Sequence, residues 1–179
     1  MSAVWASAAL PAWLAADLRT DHAGETGAVC IYRGLLAASR DAGVRAFAQR
    51  HLATEHAHLA RIEAWLPPAA RSRLLPLWRL AGWLTGALPA LAGPGAVYAT
   101  IEAVETFVDR HYQAQIDRLA HAPAWAALRA ELDACRRDEL AHRDEAAAQQ
   151  RGRSGPLLRL WCALVGAGSA LAVGVSRHV

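Results

Sequence analysis

The chain consists of long stretches that mix apolar and charged residues, separated by short breaks rich in proline or glycine. Alanine and leucine dominate the stretches, and runs of β-branched residues are almost absent, which favours helices throughout. The breaks lie around Gly43, at Pro67 and Pro68, and in HAPA at 121–124, where a helix cannot easily continue. The pattern therefore predicts an all-α protein. Its four long helices are expected at 17–39, 44–65, 95–120 and 125–150.

The connections within each pair of helices are short, so we expect two antiparallel hairpins, 17–65 and 95–150, that pack as a four-helix bundle. The length of 179 residues fits a single domain, 1–179. Two further segments are almost wholly apolar. They are 74–91, which connects the hairpins, and 156–177, which ends the chain.

Neither apolar segment is a comfortable membrane span. The first contains internal prolines and Arg79, and the second is close to the lower length limit for crossing. We expect both to be helices lying at a membrane interface, with arginines at the headgroups and tryptophans as anchors. The alternative is that they form a shared core or a dimer interface. The expected anchors are Trp78, Trp83 and Trp161, with Arg79 and Arg159 at the headgroups.

Charge and cysteine usage narrow the function classes. The net charge is +3 and all 19 basic residues are arginine, but they are interspersed with acids, which argues against a nucleic-acid partner. Cys30, Cys135 and Cys162 lie far apart without a CxxC pair, as expected of reduced, buried thiols. The N-terminal residues lack the pattern of a signal peptide, so we expect the cytoplasmic side.

Candidate chemistry begins with RDELAHRD at 137–144, where Glu139 and His142 are three residues apart and share one helix face. Alone, such a pair is usually a solvated surface pair. TEHAH at 54–58 repeats the spacing with Glu55 and His58, which favours a metal site.

The helix before each of these pairs supplies one more acid in an apolar context, Glu25 in the first half and Glu105 in the second. Tyr32 and Tyr112 each follow that acid by seven residues, so the halves form a weak internal repeat with a pseudo-twofold relation. Glu105 and Glu139 lie equally far from the turn at 122, and helix rise puts them at the same height.

Four carboxylates and two imidazoles suit iron or manganese better than a thiolate zinc site. Four carboxylate charges match two divalent ions, and one Glu from two helices plus ExxH from the other two is the arrangement of dinuclear carboxylate bundles. We expect the remaining histidines to face solvent or cap helices, and Glu102 to be a surface charge or a neighbour of the site. Those histidines are His22, His51, His56, His121 and His178.

Five blocks of the sequence resemble the demethoxyubiquinone hydroxylase family. The resemblance rests on LRTDHAGETGAVCIYRG, EHAH, PLWRLAGWLTGAL, AVETFVDRHY and RRDELAHRDEA, and it covers the chain from about Leu18 onward. It implies a ferritin-like bundle with two iron ions, in which Glu55 and Glu139 bridge the irons. His111 and Tyr112 match a pair near the site, with a role in electron or proton movement or in packing. The implied ligands are Glu25, Glu55, His58, Glu105, Glu139 and His142.

The resemblance also implies the reaction: a monooxygenase that uses O₂ to hydroxylate a demethoxy-polyprenyl-benzoquinol in ubiquinone biosynthesis. No nicotinamide-binding motif is present, so we expect an external reductant or electrons relayed through the quinone. The lipid-soluble substrate predicts a peripheral protein on the cytoplasmic face of the cell membrane, as a homo-oligomer or with other ubiquinone-biosynthesis proteins. The alternatives are another di-iron oxygenase or peroxidase, and a non-enzymatic iron-binding bundle.

Overall fold

The computed structural model describes residues 10–150 and 155–179. Within those residues the chain forms α-helices, two short 3₁₀ turns and no strand, which confirms the all-α prediction. The helices are α1 (Ala12–Ala38), α2 (Ala42–Trp65), α3 (Leu75–Ala92), α4 (Pro94–Leu119), α5 (Ala126–Gln149) and α6 (Pro156–Ser176).

The helix boundaries match the predicted ones within two residues except at the start of α1. The prediction of a start at 17 was wrong, because the helix begins at Ala12 directly after Pro11. Asp17 is therefore inside the helix, and its buried carboxylate pairs with Arg118 at 2.9 Å and with Arg177 at 2.5 Å. These two arginines come from the ends of α4 and α6, so the pairs join three helices at one end of the bundle.

Helices α1 and α2 are in contact within the first hairpin. The two hairpins, α1–α2 and α4–α5, pack against each other through contacts of α2 with α5. The buried apolar residues form two clusters, one around Tyr32 and Phe47 and the other around Leu18 and Leu132. Cys30 and Cys135 are buried free thiols, as predicted, whereas Cys162 is only half-buried. Along each long helix, the polar residues of the candidate site lie between the two apolar clusters.

Helix α3 lies so close to α1 that only glycine fits at the contact. A methyl group on Gly86 would overlap the carbonyl oxygen of Ile31, and one on Gly82 would overlap that of Gly27. Small residues at such positions allow two helix backbones to approach closely. Gly93 then links α3 to α4 with a φ of 106°, in the left-handed region that favours glycine.

Helix α6 packs on α4 and α1, and it alone among the described helices is long and apolar enough to cross a membrane. The indole Nε1 of Trp161, one of the expected anchors, donates to the Thr100 hydroxyl of α4 at 2.9 Å, and the residue is half-buried. Trp78 is also half-buried and lines a cavity between the helices. Trp83 is 41% exposed, which fits the predicted position at a surface.

Candidate metal centre

The structure brings together all six residues that the sequence singled out as ligands. Their ligand atoms form two groups, and within each group the atoms lie within 4.8 Å of one another. Two carboxylates, Glu55 and Glu139, belong to both groups, which fits the bridging position that the family resemblance implies. The first group is Glu25, Glu55, His58 and Glu139, and the second is Glu55, Glu105, Glu139 and His142.

Local sequence explains why the six side chains converge. Residues three apart on a helix leave the same face, so α2 presents Glu55 with His58 and α5 presents Glu139 with His142. The short turns within the hairpins hold the other acids at the same height on α1 and α4. All six residues are buried, with exposed fractions of 5% or less.

Both candidate histidines, His58 and His142, direct Nδ1 toward carboxylates. Nδ1 of His58 lies 2.9 Å from Glu139, and Nδ1 of His142 lies 3.1 Å from Glu139 and 3.2 Å from Glu55. The other ring nitrogen of His58, Nε2, is 3.1 Å from the carboxylate of Asp138. A carboxylate in this position orients a ligating imidazole. Asp138 was not among the residues predicted from the sequence, although its position directly before Glu139 was a signal.

The two buried tyrosines connect the halves of the repeat. The Tyr32 hydroxyl donates to Glu105 at 3.2 Å, and the Tyr112 hydroxyl donates to Glu25. Each tyrosine thus bonds to the acid of the opposite hairpin rather than to the one on its own helix. The equal spacing of acid and tyrosine in the sequence is therefore part of a two-fold pattern of hydrogen bonds.

The protonation of the metal-free cluster follows from burial. Burial, followed by the charge of Glu139, raises the pKa values of Glu55 and Glu105 well above the usual range. Burial would also raise the pKa of Glu139, but the imidazoles of His142 and His58, which lie 3.1 and 2.9 Å away, outweigh it and lower that pKa to about 2. Burial opposes charge on His58 and His142, yet the adjacent Glu139 carboxylate raises both pKa values.

The residues fit a dinuclear metal centre. Among the described residues, both oxygens of Glu55, one oxygen each of Glu25 and Glu139, and Nδ1 of His142 are buried without a hydrogen-bond partner. Buried polar atoms without partners are costly, and here they point toward one another. The oxygen-rich donor set with two imidazoles suits iron or manganese, and four carboxylates balance two divalent charges.

The expectation that His22 and His51 face solvent or cap helices was wrong, because both are buried. His22 pairs with Glu63 at 3.2 Å and His51 with Glu145 at 2.9 Å. Burial and the adjacent His142 lower the pKa of His51 to about 4, so its ring packs against that ligand as a neutral group. Apolar neighbours in the sequence could not reveal these partners on other helices.

His56, His121 and His178 are exposed, as expected. Glu102 accepts a hydrogen bond from Gln150 at 2.6 Å and is absent from both groups of ligand atoms. Glu102 is therefore not one of the candidate ligands.

A cavity of about 480 Å³ lies between α1, α3, α4 and α6 and reaches the candidate metal centre. Its inner end is formed by Glu25, Glu105 and Glu139, and most of its wall is apolar. Trp78 of α3 and Leu171 of α6 also line it. This cavity, called the channel below, gives an apolar molecule a path to the carboxylates.

One side of the channel wall is polar. His111 Nε2 lies 2.9 Å from Asp21 and 3.2 Å from the Thr20 hydroxyl, and Gln115 donates to the same Asp21 oxygen at 2.6 Å. His111 and Tyr112 both line the channel, as the family resemblance led us to expect of a pair near the site. Asp21 and Gln115 were not predicted from the sequence, because they lie on different helices, α1 and α4.

Comparison with known proteins supports the resemblance. The family model described as ubiquinone biosynthesis protein COQ7 matches residues 12–176. A 3-demethoxyubiquinol 3-hydroxylase of Rhodospirillum rubrum is 41% identical over 165 residues, which cover 90% of this chain and 76% of that protein. A mitochondrial NADPH-dependent 3-demethoxyubiquinone 3-hydroxylase of Rattus norvegicus is 34% identical over 166 residues, with the same coverage.

Proposed function

The chain belongs to the COQ7 family of ubiquinone biosynthesis proteins, and from that membership we infer that it hydroxylates a demethoxyubiquinol in ubiquinone biosynthesis. The observation that best supports this function is the channel, which leads an apolar molecule to a buried cluster of metal-type ligands. Hydroxylation inserts one atom of O₂ into the ring, and the other leaves as water. The two electrons come from an external reductant or from the quinol itself.

We further propose that the cofactor is a pair of iron ions held by the six ligands described above. Glu25 with His58 would complete one position and Glu105 with His142 the other, with Glu55 and Glu139 shared between them. When bound, two iron(II) ions supply the reduction of O₂ that aromatic hydroxylation needs. The buried, oxygen-rich ligand set supports iron or manganese, and the oxygen chemistry favours iron.

The protein's own residues position the ring and control water. The apolar channel wall excludes bulk water, which strengthens the electrostatic interactions at its inner end. We propose that His111, held by Asp21 and Thr20, hydrogen-bonds a ring hydroxyl of the quinol. Tyr112 and Tyr32 donate to Glu25 and Glu105 and so keep these carboxylates turned toward the cluster.

A polyprenyl quinol stays in lipid, so we propose that the channel receives it from a membrane. Exposed leucines of α3 and α6, among them Leu84 and Leu164, lie on the two helices that form the channel wall. Side chains of this kind suit the boundary between headgroups and acyl chains. A peripheral position on the cytoplasmic face of the cell membrane agrees with this arrangement.

The test is a single-turnover product assay. The protein is loaded with iron(II) without oxygen, given a short-tailed demethoxyubiquinol, and exposed to ¹⁸O₂. We expect one labelled hydroxyl in the product from wild type and from Glu131→Gln, a matched change of a half-buried acid on α5 outside the cluster. Glu139→Gln should give no product. Unlabelled or absent product in wild type would contradict the function, and an iron-binding protein without enzymatic activity predicts that result.

A further inference from the structure

Two groups of glycines occur inside the helices, and only one of them is explained by packing. Gly34, Gly82 and Gly86 lie where α1 and α3 touch, and a methyl group on any of them would overlap backbone atoms of the other helix. Gly24 and Gly27 lie in the middle of α1, and a methyl group on either would meet no neighbouring atom within 4 Å. Glycine in the middle of a helix is less favourable than alanine. Packing therefore gives no reason for Gly24 and Gly27, called the open glycines below.

Both open glycines line the channel. Gly24 is exposed although the next residue, Glu25, is buried. Gly24 and Gly27 are three residues apart and so share a helix face. Thr20 and Ile31, about one turn before and one turn after them on that face, also line the channel. The wall formed by this face of α1 is therefore bare backbone between two side chains.

The bare part of the wall lies at the level of the candidate metal centre. Glu25 stands between the open glycines in the sequence, and together with Glu139 it lines the same channel. One carboxylate oxygen of each of these acids is buried without a hydrogen-bond partner. Gly168 of α6 lines the channel as well and also has room for a methyl group. A ring that the channel presents to these carboxylates therefore lies beside the open glycines.

We propose that Gly24 and Gly27 are specificity-determining residues of the hydroxylation, because the flat ring of the quinol lies against their backbone. Glycine lets a ligand approach a helix backbone closely, whereas any side chain at these positions occupies the space of the ring. The helix gives up stability there to keep the binding space free. The inference relies on the proposed function for the identity of the ring, although the open space beside the glycines exists without it.

The experiment compares two alanine variants of α1 with two matched controls on α6. The channel variants are Gly24→Ala and Gly27→Ala. The controls are Gly166→Ala and Gly174→Ala, at positions where a methyl group also has no atom within 4 Å but which do not line the channel. All four variants should raise Tm by about 1–4 °C, because alanine stabilises a helix and the methyl group meets no atom.

Binding of the quinol then separates the two pairs of variants. A short-tailed demethoxyubiquinol is added to the full iron(II)-loaded chain without oxygen, and quenching of tryptophan fluorescence gives Kd, since Trp78 and Trp161 line the channel. The channel variants should weaken binding by about 5–150-fold, the effect of overfilling a closely packed space. The controls should bind as wild type does. The loss should be the same for tails of one and two isoprene units, because the added methyl group acts on the ring.

Several results would overturn the inference. Channel variants that bind the quinol as tightly as wild type would do so, as would an equal loss in the controls or a loss that grows with tail length. A channel variant with a Tm below that of wild type would show that its glycine serves packing. A channel variant with less iron than wild type would show that the methyl group acts on Glu25 instead of the ring.

Hydroxylation of the same quinol is measured separately, so that the two proposals can fail independently. Wild type that hydroxylates the quinol, together with channel variants that bind it normally, overturns only the role of the open glycines. Binding that depends on these glycines in a wild type without hydroxylation contradicts only the proposed function.

Discussion

Replacement of Gly86 by alanine tests the close packing of α3 on α1, on which the shape of the channel depends. The added methyl group would overlap the carbonyl of Ile31 and approach the backbone nitrogen of Leu35. Carbon and carbonyl oxygen normally meet no closer than about 3.3 Å, so α3 would have to retreat from α1. Backbone atoms cannot rotate aside as a flexible side chain can, so the helix itself must move.

The expected cost follows from two opposing effects. Overpacking of this kind costs about 1–3 kcal/mol, and alanine regains about 0.5–1 kcal/mol over glycine inside a helix. Gly86→Ala should therefore lower the free energy of unfolding by about 1–2 kcal/mol. In a chain of this size that lowers Tm by about 2–8 °C.

Gly174→Ala is the matched control, because a methyl group there has no atom within 4 Å. It should keep the helix gain of about 0.5–1 kcal/mol and so raise Tm slightly. Thermal unfolding of the metal-free protein in detergent, followed by circular dichroism, measures both variants. Equal shifts in the two variants, or a Gly86→Ala protein as stable as wild type, would refute the packing argument.

Three further predictions concern the site. Groups with raised pKa values, Glu55, Glu105, His58 and His142, hold protons that the unfolded chain releases. The Tm of the metal-free protein should therefore fall as the pH rises above 6.5, the pKa of histidine in the unfolded chain. The iron-loaded protein has already released those protons, so its Tm should show no such fall. Asp138→Asn should weaken iron binding by about 10–100-fold in a chelator competition, with Asp133→Asn as its control; unchanged affinity would exclude the orienting role. His111→Phe should keep its iron but raise KM for the quinol by about tenfold at most, the equivalent of one lost hydrogen bond; unchanged KM would contradict that contact.

Helix periodicity and repeated spacing were enough to predict much of the fold and a set of candidate ligands that the structure brings together. Glu139 and His142 indicated a site only because Glu55 and His58 repeat their spacing. In addition, an acid on the preceding helix, Glu25 or Glu105, comes before each pair at a related distance. Such spacing is encoded locally, within single helices and short turns. The convergence of these six residues in the structure agrees with that reading.

Features that depend on contacts between distant segments could not be read in this way. The burial of His51 depends on Glu145 from α5, and the orientation of His58 depends on Asp138, which also lies on α5. The inward turn of Trp161 depends on Thr100 of α4. Each partner lies at least 60 residues away in the sequence, so no periodic pattern links them.

The iron content of the purified protein tests the central claim most directly. Wild type saturated with iron(II) without oxygen and then freed of excess metal should hold about two irons per chain, the number that four carboxylates balance in charge. Glu139→Ala removes a carboxylate shared by both ligand groups and should lose both irons, while Glu131→Ala keeps them. One iron or none in wild type, or two in Glu139→Ala, would contradict the account.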